Sequence, residues 1–296
     1  MVEAYVCRWC KGPPLPEPPE GECPNCGGLY RHNRVRLPAA DCDGALTEPL
    51  REGEPISGDA LFSEEEEAKE IKRVTGLAGV DWVFDGGLPR VGVILLACKE
   101  GSGKTTWSWQ LGRHYADKLK LKVLYQSSEQ TPQGLRRQFK RLGELNSRFL
   151  VHCAEDKEVL FRQVEQEQPD LWILDSVHHV TGVMDDGDFN VASGGQRAVT
   201  IVAKEASKLA EELGMLVILI GHMTNDGDMA GGSHLRHAVD ATLTLTRTED
   251  KRDPHRILEF WGKSRFGDAT RRALYIMHDK GLIDQGPLTE DSAQNG

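Results

Sequence analysis

The sequence lacks a long apolar run, and its first residues lack the basic and apolar regions of a secretory signal peptide. No apolar stretch among the 296 residues approaches the ~20 that a membrane-spanning helix requires. These absences lead us to expect a cytoplasmic protein with no membrane partner. In a reducing compartment the seven cysteines are expected to be metal ligands or buried thiols, because disulfides rarely persist there.

An excess of positive charge is also missing. The chain carries 36 Lys and Arg against 46 Asp and Glu, a net charge of −10 at pH 7. This balance argues against a protein that coats nucleic acid indiscriminately. Basic residues are nevertheless concentrated in segments 31–36, 136–148 and 251–272. Such local patches can bind phosphate groups despite a negative total.

Four of the cysteines form two closely spaced pairs near the start of the chain. Two residues separate Cys7 from Cys10 and Cys23 from Cys26, and twelve residues lie between the pairs. Four thiolates at this spacing match the tetrahedral coordination of Zn²⁺. So short a segment buries little core, so metal binding would supply its folding energy. We therefore predict a zinc ribbon over residues 1–37; a redox pair or unrelated thiols are the alternatives.

Residues 93–106 have the order of a phosphate-binding loop. An apolar run ends at Cys98, small and polar residues follow, and Lys104 and Thr105 open an amphipathic segment. The backbone of such a loop forms an anion nest at a helix N-terminus, the lysine reaches the β- and γ-phosphates, and the threonine hydroxyl can ligate Mg²⁺. A glycine turn with a chance Lys-Thr is the alternative. The residues expected to bind ATP in this segment are Gly101, Ser102, Gly103, Lys104, Thr105 and Thr106.

One position departs from the usual pattern G-x-x-x-x-G-K-[ST]. Cys98 stands where the first glycine is expected. A Cβ is tolerable there if φ stays negative. We therefore interpret the motif as slightly altered and still able to hold phosphate.

The rest of the chain alternates between apolar strand-like runs and helix-like segments. Near-continuous apolar strands that alternate with helices predict an α/β fold, a mainly parallel sheet covered on both faces. Three late strands joined by short connections predict an antiparallel extension. The expected strands are 93–98, 122–127, 149–152, 171–175, 215–220, 241–246, 256–261 and 273–277, with helices after 104, from 131, near 155–166 and near 196–213. The expected domains are the ribbon 1–37, a linker 38–63, a core 64–285 and a disordered tail 286–296.

Chemically active residues follow three of these strands, where ligands of parallel sheets collect. Asp175 is expected to hold Mg²⁺ directly or through water, although a lone aspartate there is most often a turn residue. Glu129 could orient or deprotonate the water that attacks the γ-phosphate, with a helix-capping acid as the alternative. His222 could sense the γ-phosphate or be a partly buried structural histidine.

In their order along nearly the whole chain, these motifs resemble the bacterial RadA (Sms) family of RecA-type ATPases. The most specific motif runs from Lys263 to Gly267 and is similar to the family's Lys-Asn-Arg-Phe-Gly, with Ser264 in place of the asparagine. The other matching segments are the four cysteines, Thr75–Pro89, the phosphate-binding loop, Ser127–Glu129, Ile173–Ser176 and Gly221–Thr224.

The resemblance implies a RecA-type P-loop core that works as a homo-oligomeric ring or filament. Lys263 and Arg265 are then expected to reach across a subunit interface toward a neighbour's ATP, since no arginine lies in the strand-end segments of the chain's own site. A plain basic turn is the alternative for both residues. The expected catalytic set is Lys104, Glu129, Lys263 and Arg265.

The resemblance also implies that DNA lies along the ring axis, gripped by loops 181–195 and 225–233. The first loop carries Asp185, Asp186 and Asp188, which would repel a phosphate backbone. The family's C-terminal Lon-protease-like domain is expected to be lacking. That domain is linked in the family to assembly and DNA contact, so its absence puts both of these properties in question for this chain.

These expectations describe a DNA-dependent ATPase that uses ATP, Mg²⁺ and Zn²⁺. It would act on single-stranded or branched DNA in homologous recombination and repair, with helicase or translocase activity left open. One alternative is a replicative-helicase-like or KaiC-like ATPase with the same core. Another is a regulatory module that binds nucleotide without turnover, which the change at Cys98 permits. Hydrolysis that rises with single-stranded DNA would separate a motor from a binding module.

Overall fold

The computed structural model describes the backbone of residues 2–7 and 32–37, together with residues 72–185, 190–223, 232–248, 250, 252–262 and 264–288. The chain divides into two compact units, Met1–Glu66 and Glu67–Gly296. In the first unit, strands β1 (Val2–Cys7) and β2 (His32–Leu37) pair in antiparallel register, with Cys7 opposite His32. The other three ribbon cysteines and the linker 38–63 lie outside the described residues.

The second unit alternates strands and helices, as the apolar pattern predicts. Its helices are α1 (Ala78–Val83), α2 (Lys104–Asp117), α3 (Pro132–Phe139), α4 (Lys157–Glu167), α5 (Gln196–Leu213) and α6 (Gly232–His237). Its strands are β3 (Gly92–Cys98), β4 (Val123–Ser127), β5 (Phe149–Cys153), β6 (Leu171–Asp175), β7 (Leu216–His222), β8 (Ala241–Arg247), β9 (His255–Phe260), β10 (Arg272–His278) and β11 (Gly281–Pro287). Short 3-10 helices cover Lys140–Leu142 and Val177–His179.

Within the described residues these strands form one sheet in the order β11-β10-β9-β8-β3-β7-β6-β4-β5. The pairs from β5 to β8 are parallel, and those from β8 to β11 are antiparallel. Both the parallel core and the antiparallel extension are therefore confirmed. The carboxyl ends of β3, β7, β6 and β4 lie side by side, which is where the candidate site is built.

Helices cover both faces of the sheet around β3. All seven residues of β3 are buried. Ile94 and Leu96 pack in a cluster with Trp107 of α2, whereas the alternate residue Leu95 packs in a second cluster with Val202 of α5. Because successive strand residues point to opposite faces, this division shows why the strand reads as continuously apolar.

The structure adds an edge strand that the sequence interpretation did not contain. Strand β11 continues to Pro287, so the expected tail at 286–296 begins inside a strand. Its sequence has few apolar residues, and the strand is held instead by contacts from elsewhere in the chain. Both oxygens of Asp284 accept hydrogen bonds from the Gly79 N–H, at 3.1 and 2.9 Å. Residues 289–296 lie outside the described part of the chain.

No helix in the described part of the chain is both long and apolar enough to cross a membrane.

Candidate nucleotide site

The phosphate-binding loop joins the buried end of β3 to the first turn of α2. Gly103 immediately precedes the helix with φ 105° and ψ 14°, a left-handed conformation. This backbone conformation favours glycine, because a side chain at positive φ is strained. The helix therefore begins at Lys104, with its free N–H groups facing the loop.

Cys98 fits the loop as the last residue of β3 and not as a turn residue. Among the described residues, Cys98 is not one of the non-glycine residues with positive φ. The backbone there therefore tolerates a side chain, as the sequence analysis required. Its Sγ accepts a hydrogen bond from the Leu245 N–H at 3.1 Å. Burial raises the pKa of the Cys98 thiol to about 11. The thiol is therefore neutral and ties the loop to β8.

Asp175 ends β6 beside the start of α2. The carboxyl group is 4% exposed, and the Tyr125 hydroxyl donates to its Oδ2 at 2.6 Å. Burial raises the pKa of Asp175, while the Tyr125 hydrogen bond, the Thr105 hydroxyl and the Lys104 charge lower it. Its other oxygen, Oδ1, is buried and has no hydrogen-bond partner among the described residues. A buried carboxylate oxygen beside a threonine hydroxyl is a donor set that fits Mg²⁺.

Two serines fix the relative positions of the β4 and β6 ends. The Ser128 hydroxyl donates to the Ser176 carbonyl at 2.6 Å and accepts from the Ser176 N–H at 3.0 Å. Both side chains are buried. The two-way bond holds Asp175 and Glu129, one residue from each serine, at a fixed separation.

Glu129 lies between two histidines. Its Oε1 is 3.1 Å from Nε2 of His222 and 3.0 Å from Nδ1 of His179. The His222 hydrogen bond is the main cause that lowers the pKa of Glu129 to about 2, so the group is a carboxylate at neutral pH. The cap of α3 is Thr131, whose Oγ1 accepts from the Gly134 N–H. In this structure the Glu129 side chain therefore faces the site and not the helix.

His222 also connects Glu129 to the loop lysine. Its Nδ1 is 3.2 Å from Nζ of Lys104. An ammonium group can only donate, so Nδ1 accepts and the ring proton lies on Nε2, directed at Glu129. The sequence predicted each of these three residues separately, and the structure brings them into one hydrogen-bonded chain. His179 was not predicted, because it lies in a short 3-10 helix with no motif of its own.

Basic residues from the antiparallel strands reach the loop, which the sequence interpretation missed. A Cβ on Gly101 would lie 3.2 Å from Nη1 of Arg247. The buried Arg256 donates from Nε to the Ser102 carbonyl at 3.0 Å. Arginine therefore reaches the chain's own loop from outside the strand-end segments, which themselves contain none. No local pattern could have shown this, because Arg247 and Arg256 come close only through the pairing of β8 with β9.

A third arginine holds the first turn of α2. Arg141 donates from Nη2 to the Thr106 hydroxyl at 3.3 Å and from Nη1 to the Asp279 carbonyl at 2.8 Å. It comes from the basic segment 136–148 that the sequence singled out. Its contact with Thr106 places a positive charge beside the loop.

Arg265 lies at the far end of the sheet from this loop. Its Nη1 donates to Oδ1 of Asp240 at 2.8 Å, and the Asp240 N–H donates to the Val93 carbonyl at 2.9 Å. Val93 is the second residue of β3, so about six residues at ~3.3 Å each separate it from the loop. That distance is longer than an arginine side chain, so Arg265 does not reach the ATP site of its own chain. Lys263 lies outside the described residues.

The structure describes most of the first expected DNA loop, 181–195. Asp185 forms an ion pair with Arg197 at 2.8 Å, so its charge is balanced within the protein. Asp186 and Asp188 lie outside the described residues, as do positions 225–231 of the second loop.

Comparison with known proteins identifies relatives of this chain. Residues 64–228 match the protein family described as AAA domain. DNA repair protein RadA of Aquifex aeolicus strain VF5 is 29% identical over 283 residues, which cover 94% of this chain and 59% of the relative. DNA repair protein RadA of Escherichia coli K12 is 29% identical over 282 residues, with the same two coverages. The chain thus spans about 59% of the length of these relatives.

A solved structure shares the fold. The KaiC-like protein from the hyperthermophilic archaeon Pyrococcus horikoshii OT3 aligns with a TM-score of 0.57 and 16% sequence identity, covering 72% of this chain and 98% of that structure. At this identity the likeness concerns the fold alone. Together with the family match, it confirms the predicted α/β core of the RecA-type P-loop class.

Proposed function

This chain belongs to the AAA domain family, and from that premise we propose that it is an ATP hydrolase that acts on DNA in recombination or repair. The observation that carries the proposal is the chain of contacts from Lys104 through His222 to Glu129. It links the phosphate-binding loop to a carboxylate, Glu129, to which we assign the activation of the attacking water. A site that only held nucleotide would not need a base beside the phosphate.

ATP binding is assigned to the loop and the first turn of α2. The N–H groups of residues 101–106 receive the β- and γ-phosphates, and Lys104 moves from His222 to the phosphates. Arg247 and Arg141 add positive charge at the rim. Thr105 and Asp175 would hold Mg²⁺, which neutralises charge on the phosphates when bound.

Hydrolysis is assigned to Glu129 as the group that orients the water. A carboxylate that accepts a proton in the transition state typically contributes about 10²–10⁴ in rate. In the structure Oε1 already accepts from His222 and lies 3.0 Å from Nδ1 of His179, and the hydrogen bond from His222 is the main cause that lowers its pKa to about 2. Release of Lys104 from His222 on nucleotide binding would loosen this arrangement and make the carboxylate a stronger base. Through His222, phosphate binding by Lys104 would thus change the basicity of Glu129.

The remaining charge is assigned to a neighbouring subunit. Arg265 cannot reach its own site, and the motif 263–267 resembles the family element that crosses a subunit interface. Arg265 would exchange Asp240 for a neighbour's γ-phosphate when chains assemble into a ring or filament. An arginine supplied in this way typically contributes about 10³–10⁵ in rate. Lys263 is assigned the same role from the motif alone.

The DNA partner is proposed from the names of the relatives, and the zinc ribbon from the spacing of the cysteines. Two relatives carry the name DNA repair protein RadA, which supports DNA as the partner; single-stranded or branched DNA is the form that the motif resemblance implies. The β1–β2 pairing brings Cys7 to the end of a hairpin whose connection contains Cys10, Cys23 and Cys26. The spacing of these four cysteines in the sequence is what supports a Zn²⁺ site that holds the ribbon.

The test is phosphate release from ATP with Mg²⁺, measured with and without single-stranded DNA. We expect steady turnover that increases when DNA is added. Turnover unaffected by DNA would favour a KaiC-like ATPase with another partner. Tight nucleotide binding without turnover in either condition would support the regulatory module and contradict the proposal.

A further inference from the structure

Three side chains able to ligate a transition metal meet at the carboxyl end of the sheet. Glu129 follows β4, His179 ends the 3-10 helix after β6, and His222 ends β7. One ligand atom from each lies within 4.8 Å of the other two. The carboxylate oxygen is 3.1 Å from Nε2 of His222 and 3.0 Å from Nδ1 of His179. The serine bond between β4 and β6 holds two of these segments in place.

The two separations from the Glu129 oxygen suit a shared metal ion as well as they suit hydrogen bonds. A metal bound at about 2.0–2.2 Å by nitrogen and carboxylate oxygen places neighbouring ligand atoms about 3.0–3.5 Å apart. Imidazole nitrogens favour Zn²⁺ and similar ions, whereas Mg²⁺ prefers oxygen alone. We propose that Glu129, His179 and His222 form a binding site for a divalent transition metal, Zn²⁺ in the first place, separate from the magnesium position at Thr105 and Asp175.

Lys104 controls access to this site. A metal on Nε2 of His222 leaves the ring proton on Nδ1, because a ligating imidazole is neutral. Nδ1 faces the Lys104 ammonium at 3.2 Å, so two donors would then face each other. The metal and Lys104 therefore compete for His222, one through each ring nitrogen. When Lys104 leaves, both the proton conflict and the repulsion between two cations disappear.

The consequence for hydrolysis rests on the proposed function. If nucleotide phosphates draw Lys104 away, the metal site becomes complete only when ATP is bound. The metal would then occupy Oε1 of Glu129 and prevent it from accepting a proton from water. Zn²⁺ would act as a brake that keeps ATP bound and unhydrolysed.

The binding test needs no nucleotide, because substitution of Lys104 imitates its departure. Equilibrium dialysis with Zn²⁺ compares the wild type, Lys104→Ala and Lys104→Ala with His179→Ala. We expect Lys104→Ala to bind one more Zn²⁺ per chain than the double variant, and at least about tenfold more tightly than the wild type binds that ion. Any ribbon site is common to all three proteins and cancels in the comparison.

Two further variants keep this result specific. Lys104→Ala with Glu129→Gln should lose the added ion, because an amide is a poor ligand. Lys104→Ala with His237→Ala should keep it, since His237 is an exposed histidine of α6 that is not part of the cluster. Thermal unfolding of each variant checks that it is folded. Equal Zn²⁺ binding by folded Lys104→Ala and its His179→Ala derivative would overturn the site.

The brake is tested separately, at buffered free Zn²⁺ with ATP and Mg²⁺. Inhibition of phosphate release in the wild type that is at least about tenfold weaker in His179→Ala supports it. Metal binding without ATPase activity would keep the site and reject the proposed function. Hydrolysis that is unaffected at Zn²⁺ levels that fill the site would reject the brake.

Discussion

At the scale of single residues, the site is governed by what surrounds Glu129. Its Oε1 accepts from His222 and lies 3.0 Å from Nδ1 of His179, and the hydrogen bond from His222 contributes most to a pKa of about 2. His222 in turn accepts from Lys104. The three residues are therefore coupled through His222. Lys104 at one end is assigned to phosphate binding, and Glu129 at the other end is assigned to the chemical step.

Substitutions should reveal this separation. Lys104→Ala removes a direct phosphate contact, so we expect both ATP affinity and turnover to fall. Glu129→Gln removes only the base, so ATP affinity should stay close to the wild type while turnover falls by about 10²–10⁴. Equilibrium binding of a fluorescent ATP analogue and phosphate release measure the two quantities. Wild-type turnover in Glu129→Gln would assign the carboxylate a structural role.

The low pKa of Glu129 predicts how stability depends on pH. A carboxyl group whose pKa falls from 4.5 to about 2 on folding stabilises the folded state above pH 4.5, and this contribution is lost as the pH falls toward 2. Glu129→Gln cannot titrate. The difference in unfolding free energy between wild type and variant should therefore shrink from about pH 5 to about pH 3 in urea titrations. A difference that stays constant would contradict the assigned hydrogen bonds.

At the scale of secondary-structure elements, most of the core could be predicted from apolar periodicity. The helix expected near 196–213 is found at Gln196–Leu213, and the parallel strands fall where continuous apolar runs occur. The apolar residues of these elements recur at the spacing of a helix or strand, so the local sequence is enough to predict them. Strand β11 was missed because its stability comes from distant partners, such as the contact of Asp284 with Gly79.

The site shows the same division between local and distant information. The loop, Asp175, Glu129 and His222 could be predicted, since each follows a recognisable strand. Arg247 and Arg256 could not, because sheet pairing alone brings them to the loop. His179 could not, because its role depends on the fold of a 3-10 helix beside Glu129.

Packing between elements gives a stability prediction. Trp109 of α2 stacks on Phe139 of α3, with ring centroids 4.1 Å apart, and meets Tyr125 of β4 edge-on at 4.9 Å. Trp109→Ala leaves a cavity between three elements, so we expect the unfolding free energy to fall by about 3–5 kcal/mol. Val159→Ala, on the exposed face of α4, should change it by no more than about 0.5 kcal/mol. Similar losses in both variants would show that this junction is not a tightly packed core.

At the scale of the whole molecule, the two compact units have different sources of stability. The second unit has a large apolar core, whereas the proposed ribbon would depend on metal for its stability. Elemental analysis should find zinc that remains after dialysis, and Cys23→Ser should lower it and increase proteolysis within residues 1–37. Cys153→Ser, which changes a cysteine of β5 outside the ribbon, is the control. A zinc-free protein whose residues 1–37 resist proteolysis would refute the ribbon.

Assembly is the other feature of the whole molecule. Arg265 lies at the opposite end of β3 from the loop and is paired with Asp240, so it does not reach its own ATP site, and we propose that it serves a neighbour's. Arg247 lies beside the loop of its own chain and is the competing source of positive charge. The central claim is that hydrolysis needs Glu129 of one chain and Arg265 of another.

Phosphate release from mixed variants tests this claim most directly. Arg265→Ala and Glu129→Gln should each be inactive alone, for different reasons. When they are mixed and assemble together, some interfaces combine an intact Glu129 with an intact Arg265, and activity should return. Full activity of Arg265→Ala alone, with its loss in Arg247→Ala, would assign the arginine to the same chain. No recovery in confirmed mixed assemblies would contradict a site shared between subunits.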